Sequence, residues 1–333
     1  MAGTIAIIGG GSWGTALAIV LAPRFERVRL WAHETDLVDR MVQMRVNDIF
    51  LPGFQLPENV EPVSDLSAAL KDAGIVVGVM PSRFARPIYS AMLPHLDPAM
   101  RFVSATKGLE SGTLLRMSEV ARDVIATKFT PRIAVLSGPT FAKEVARGEP
   151  AAVVVASEDA ELAASIQREF SGPTFRLYVN DDPAGVEIAA ALKNIIAIGA
   201  GICQGLGLGN NSIAALITRG LAEITRLAVA MGGKPRTLAG LAGLGDLVLT
   251  CNGDLSRNRS VGIELAKGRK LADIVGSMKM IAEGVETTSA AVDLARKFNV
   301  DMPITTQMAS ILRDGRSPRD AIRELMERAL KSE

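Results

Sequence analysis

Thr4-Ile5-Ala6-Ile7-Ile8-Gly9-Gly10-Gly11-Ser12-Trp13-Gly14-Thr15-Ala16-Leu17-Ala18-Ile19-Val20-Leu21 is the stretch that decides the fold. Its first five residues form a short apolar run that reads as a buried strand, and Thr15 to Leu21 read as a helix. Between them lies G-x-G-x-x-G in the strand–turn–helix setting that a dinucleotide fingerprint requires. Gly9 would permit the tight turn, Gly11 would let a pyrophosphate approach the backbone, and Gly14 would let helix and strand pack closely. The helix start then offers unpaired N–H groups and a positive dipole end to phosphates. The same glycines could make a turn with no ligand; their place at the first strand-to-helix junction favours the dinucleotide.

Composition narrows the remainder. A chain of 333 residues suffices for two domains, each with its own core. Apolar residues make up 48% and charged residues 22%, as in a folded globular protein. The net charge of +1 gives no electrostatic reason to expect nucleic acid or a membrane surface as partner. The most apolar region, Ile188 to Ile202, is interrupted by Lys193 and Asn194 and reads as too short to span a bilayer. The first strand begins almost at Met1, leaving no room for a signal peptide, and a cytoplasmic protein is the simplest expectation. Cys203 and Cys251 make no disulfide framework. His33 and His95 are the only histidines and no zinc pattern is present, so no metal is expected. An acid/base group, if there is one, is then expected not to be histidine.

The first half alternates strands with helices. Candidate strands are Ile5–Ile8, Val28–Trp31, Ile75–Met80, Phe102–Ala105, Ile133–Leu136, Ala152–Ala156 and Phe175–Tyr178. This alternation predicts an α/β fold, a Rossmann-like doubly wound and mostly parallel sheet. Beyond Pro183 the chain reads as helices separated by glycine loops, so a dinucleotide-binding domain over 1–183 and an all-helical substrate domain over 184–333 are expected. At the end of the second strand, Glu34 could hold the ribose 2′-OH of NAD, or His33 could occupy that place and tolerate the phosphate of NADP. Both cofactors stay open.

Lys193 stands out by its surroundings, because Ile188 to Ile198 contain only Lys193 and Asn194 as polar side chains. Burial would lower the lysine pKa toward neutrality, where it can give and take a proton. Alternatively its long stem could carry the charge out to the surface. Lys107 follows a strand of the sheet, where ligands bind in open α/β proteins, or it is a surface charge. Gly138 and Thr140 lie in a second strand-end loop that is otherwise a plain turn. Ser256-Arg257-Asn258 offers several donors suited to a phosphate, or forms a solvated helix start. Asp246 could orient Lys193 or simply cap a helix.

At these residues the chain resembles the bacterial NAD(P)-dependent glycerol-3-phosphate dehydrogenase family. The resemblance rests on Gly11-Ser12-Trp13-Gly14-Thr15-Ala16-Leu17-Ala18, Ala105-Thr106-Lys107-Gly108-Leu109-Glu110 and Ser137-Gly138-Pro139-Thr140-Phe141-Ala142. It continues in Leu192-Lys193-Asn194, Ile217-Thr218-Arg219-Gly220, Ala242 through Thr250, Ser256-Arg257-Asn258, Glu283-Gly284 and Met302-Pro303-Ile304. These runs cover nearly the whole chain. The resemblance implies reversible reduction of dihydroxyacetone phosphate to sn-glycerol 3-phosphate, feeding glycerophospholipid synthesis, in a homodimer. It implies Lys193 as acid/base, with Asp246 beside it. Lys107, Gly138, Thr140, Asp246, Ser256, Arg257 and Asn258 are implied on the substrate side. Gly9, Gly11, Ser12, Trp13, Gly14, His33, Lys107, Ala142, Arg257, Ile281 and Glu283 are implied on the cofactor side. Two other readings stay in play: a lysine-based dehydrogenase for another hydroxy acid, and a redox sensor that binds NAD(P) without turnover. The three-residue cluster at Ser256 argues for a phosphorylated substrate, and a sensor would need neither it nor a buried lysine.

Overall fold

The computed structural model describes residues 2–278 and 282–330. Eight strands form one sheet in the order β3-β2-β1-β4-β5-β6-β7-β8. They are β1 (Ala2–Ile8), β2 (Phe25–Trp31), β3 (Val60–Val63), β4 (Ala73–Gly78), β5 (Arg101–Ser104), β6 (Arg132–Ser137), β7 (Ala151–Ala156) and β8 (Phe175–Asn180). Pairing is parallel except between β6 and β7. Helices α1 (Ser12–Leu21), α2 (Thr35–Met44), α3 (Leu66–Leu70), α4 (Ala85–Met92), α5 (Met117–Ile125), α6 (Ala142–Arg147) and α7 (Ala160–Phe170) cover the sheet. The helical half comprises α8 (Pro183–Gly205), α9 (Asn210–Ala230), α10 (Pro235–Leu238), α11 (Asp246–Asn252), α12 (Arg257–Ala266), α13 (Leu271–Ser277), α14 (Glu283–Lys297), α15 (Pro303–Asp314) and α16 (Pro318–Met326).

The central strands read as apolar runs because both faces are covered: Ile5, Ala6, Ile7 and Ile8 of β1 are all fully buried. Ile5 and Ile7 face one side layer, Ala6 and Ile8 the other. Strand β3 is absent from the sequence expectation. Its four residues, Val-Glu-Pro-Val, carry a proline opposite Leu30. Proline is tolerated there because β3 is the sheet's outer edge.

Helix α8 starts at a strong signal. The Asp182 carboxylate accepts the Gly185 N–H at 2.8 Å, and Pro183 occupies the first turn. The helix runs 23 residues, so the expectation that this apolar run is too short for a bilayer is corrected: by length and composition it is long enough. It is instead the central helix of the second core, with α9, α11, α12 and α14 packed round it. The crossing with α12 depends on missing side chains. A Cβ on Gly201 would lie 1.9 Å from the Arg259 carbonyl oxygen, and one on Gly262 would lie 2.0 Å from that of Ile198. Within the run Gly240 to Gly245, expected as a loop, Leu241–Gly245 forms a π-helical turn leading into α11.

Candidate active site

The sheet order reverses direction at β1, with β2 and β3 on one side and β4 onward on the other. That reversal opens a crevice at the carboxyl ends of the strands. Here lies a cleft of about 890 Å³, walled by the glycine turn, the ends of β2, β4 and β5, and the helical half.

The glycine turn is built as a phosphate cradle. Gly9 has φ 134°, the left-handed half of the map, and a Cβ on it would meet the Val79 carbonyl oxygen at 2.7 Å. A Cβ on Gly14 would sit 1.8 Å from the Gly9 carbonyl oxygen, so close packing of α1 on the turn requires glycine. A Cβ on Gly11 would have no protein atom within 4 Å; the space beside it is left for something else. Gly11 caps α1 with no side-chain bond, and no acidic residue occupies the first turn. The helix start therefore presents donors and a positive end to the cleft. Trp13 lines the same wall with its indole N–H buried and unpartnered. Open cradle and orphan donor both fit a bound dinucleotide.

Across the cleft, Lys193 of α8 is 5% exposed. Its Nζ donates to the Asp246 carboxylate and to Thr250 Oγ1, the latter at 2.8 Å. Asp246 and Thr250 are four residues apart on α11 and so share the face turned to α8. Thr250 Oγ1 donates to the Asp246 backbone carbonyl at 2.6 Å, which leaves its oxygen as the acceptor for Lys193. Lys107 Nζ donates to the other Asp246 oxygen at 2.9 Å. A fully buried carboxylate thus bridges two ammonium groups. Burial lowers the Lys193 pKa to about 7; Asp246 opposes that shift and neighbouring Lys107 adds to it.

Asp246 is therefore no simple cap: it is the first residue of α11, follows Gly245 as cap, and spends its side chain on lysines. Lys107 is not a surface charge, and Lys193 does not carry its charge out to solvent. Ser256 caps α12 by accepting the Arg259 N–H at 3.3 Å, which sets Arg257 and Asn258 in the first turn facing the cleft. Asn258 Oδ1 accepts the Gly284 N–H at 3.0 Å and so ties α12 to the start of α14. Glu283, the first residue of α14, also lines the cleft. Burial raises its carboxyl pKa, against the pull of Arg257, Lys107 and Lys193.

The cleft brings together Gly9, Gly11, Ser12, Trp13, His33, Lys107, Thr140, Ala142, Lys193, Ser256, Arg257, Asn258 and Glu283. Gly14 and Asp246 stand behind this wall and support it. Gly138 does not reach the cleft wall, contrary to expectation. Its φ is 154°, and a Cβ would meet Val153 Cα at 2.9 Å, so glycine serves the close pass beside β7. Ile281 lies outside the described residues. Thr250 and Asn194 were read only as members of longer runs and given no role, although one stands four residues after Asp246 and the other beside Lys193. Phe50, Arg83, Phe84 and Lys143 were missed, because they arrive on loops and helix starts with no local signature. Among the described residues no group of three or more His, Cys, Asp or Glu is placed to hold a metal.

Rossmann-type sheet, glycine cradle and buried Lys193–Asp246 pair together define a nicotinamide-dinucleotide-dependent oxidoreductase. Residues 4–163 match the model of the NAD-dependent glycerol-3-phosphate dehydrogenase N-terminus, and residues 182–323 match that of its C-terminus. The chain belongs to the NAD-dependent glycerol-3-phosphate dehydrogenase family. It is 59% identical over 331 residues to the glycerol-3-phosphate dehydrogenase [NAD(P)+] of Koribacter versatilis, covering 99% of this chain and 98% of the relative. The enzyme of the same name from Geobacter sulfurreducens is 50% identical over 100% of this chain and 99% of its own. The crystal structure of Coxiella burnetii glycerol-3-phosphate dehydrogenase superposes with a TM-score of 0.94 at 42% identity, over 98% of this chain and 99% of that one. A ketopantoate reductase from Ralstonia eutropha, at 18% identity and a TM-score of 0.59 over 97% and 100%, shares the fold alone.

Proposed function

We propose that the chain interconverts dihydroxyacetone phosphate and sn-glycerol 3-phosphate with NADH or NADPH, with Lys193 as the acid/base. The observation that carries the chemical assignment is the buried Lys193, bonded to Asp246 and Thr250 at the wall of a cleft whose opposite side is a phosphate cradle. Family membership supplies the substrate: the relatives carry this activity in their names.

A nicotinamide dinucleotide held in the cradle would supply or accept the hydride. Gly9, Gly11, Ser12, Trp13, His33, Ala142, Arg257 and Glu283 would hold it. Lys193, as ammonium, donates a proton to the oxygen at C2 of the ketone and stabilises the charge developing there. As neutral amine, it takes the hydroxyl proton in the reverse direction. A pKa near neutrality makes both forms available. Asp246 and Thr250 fix the Nζ position, and Lys107 and Thr140 border the same space. Ser256 shapes the turn from which Arg257 and Asn258 present donors for the substrate phosphate. Phosphate binding remote from C2 then fixes the reacting geometry.

The same reading places the division between dinucleotide and substrate domains near Pro183, after the last strand. It takes the active form as a cytoplasmic homodimer whose product enters glycerophospholipid synthesis. Absorbance loss on mixing the protein with dihydroxyacetone phosphate and NADH, or NADPH, tests the activity, and the two rates rank the cofactors. Binding of a dinucleotide with no oxidation by this ketone, but with turnover of a non-phosphorylated ketoacid, would overturn the substrate assignment.

A further inference from the structure

Asn47 belongs to no part of the chemistry above, yet it is fully buried beside the glycine turn. Its Nδ2 donates to the Gly10 carbonyl at 2.8 Å and to Thr15 Oγ1 at 2.8 Å. Its Oδ1 accepts the Phe50 N–H at 2.9 Å, and Ser12 Oγ donates to the Phe50 carbonyl at 2.6 Å. Residues on both sides of the turn are thereby stitched to the segment 47–51. Phe50 and Leu51 of that segment form part of the cleft wall. The segment belongs to a closed loop: Val46 and Gln55 form an antiparallel bridge, and Leu56 N–H donates to the Arg45 carbonyl at 2.7 Å.

The bond to Gly10 has a directional consequence. In a planar trans peptide, C=O and N–H point to opposite edges. An amide that holds the Gly10 carbonyl toward Asn47 turns the Gly11 N–H away from it. Glycine has no side chain to fix that plane, and its backbone otherwise samples several orientations. We propose that Asn47 is a positioning residue for the dinucleotide: it sets the Gly10–Gly11 peptide plane and docks the Phe50 segment as a wall of the same cleft. The proposal rests on the cleft binding a nicotinamide dinucleotide. Asn47 acts through Gly10, Gly11 and Phe50, and has no part in hydride or proton transfer.

The test compares wild type with Asn47→Ala and Asn47→Asp. The aspartate keeps the acceptor for the Phe50 N–H and removes the donors to Gly10 and Thr15. Dissociation constants for NADH, KM for NADH and for dihydroxyacetone phosphate, and kcat are measured well below each variant's Tm. For both variants the expected result is a rise of about tenfold in Kd and KM for NADH, the scale of one lost ordering hydrogen bond. kcat and the ketone KM should stay within about twofold, because the lysine site is untouched. A merely structural role would lower the active fraction and leave KM alone. An unchanged NADH affinity in the folded variants, or equal changes in both KM values, overturns the proposal. Hydrogen exchange on wild type covers the case where neither variant folds: saturating NADH should slow exchange across residues 47–51 together with 9–15, and slowing in 9–15 alone refutes the coupling. If wild type binds neither NADH nor NADPH, the functional reading falls first.

Discussion

Asp246→Asn isolates the electrostatics of the site. Asparagine keeps the shape and an oxygen for Lys193, and removes the charge that Lys107 and Lys193 share. At the 2.9 Å of the Lys107 contact, the attraction between unit charges is roughly 6 kcal/mol at an effective dielectric of about 20. The buried carboxylate has its own desolvation cost, so the net loss on breaking such a pair is about 3–5 kcal/mol. Part of that loss falls on protonation. The Lys193 ammonium loses its partner while the neutral amine loses little, so its pKa drops below the wild-type value of about 7. A drop of about one unit would cut the protonated fraction at pH 7 from about one half to roughly a tenth. Ketone reduction needs the protonated form, so its rate declines as pH rises through this pKa, and the decline should move to lower pH. The assay is the initial rate of NADH oxidation at saturating ketone between pH 5.5 and 9. The variant should be several-fold slower than wild type at pH 7 and recover in part toward pH 5.5. An unmoved limb, or one displaced to higher pH, would refute the account of Asp246 as the group that holds the Lys193 proton.

Lys193→Met should remove most of kcat while NADH still binds; near wild-type turnover would sink the acid/base assignment. Because burial depresses the Lys193 pKa, the folded protein has lost a proton that the unfolded chain still binds between about pH 7 and the usual lysine value of 10.5. Stability from this group therefore rises with pH across that window, and the rise should be absent from urea unfolding of Lys193→Met. Gly14→Ala and Gly11→Ala should part company in thermal melts. The first forces a methyl to 1.8 Å from a backbone oxygen and should lower Tm strongly, whereas the second meets no protein atom and should keep Tm but lose NADH affinity. Arg257→Ala should raise KM for the phosphorylated ketone more than KM for NADH, and equal rises would speak against a phosphate role.

Much of the sheet was legible because its central strands are buried on both faces and read as apolar runs. Strand β3 was not, since a four-residue edge strand with a central proline carries no such pattern. The glycine turn could be read residue by residue, because Gly9 and Gly14 answer steric demands of the turn and Gly11 leaves open space beside it. Lys193 was visible through its apolar surroundings and Asp246 was weighed as its partner, but Thr250 and the bridge to Lys107 were not. Lys107 and Asp246 stand 139 positions apart, and only the packing of the two halves joins them. Gly138 was placed on the substrate side, whereas the backbone beside β7 explains its identity. The loop that brings Phe50 to the cleft has no periodicity to read, and it is held by Asn47, Ser12 and the Val46–Gln55 bridge.

Helix α8 also has a consequence for how the chain is made. Its apolar stretch leaves the ribosome about fifty residues before α12, the helix that crosses it at Gly201. At elongation rates of roughly 5–20 residues per second, that leaves about 3–10 seconds in which a segment fit to enter a bilayer lacks that cover. Nascent chains halted before Ala266 should be captured by chaperones or membranes far more than the finished protein. The order of the two helices in the chain thus leaves α8 waiting for the backbone that later packs against Gly201.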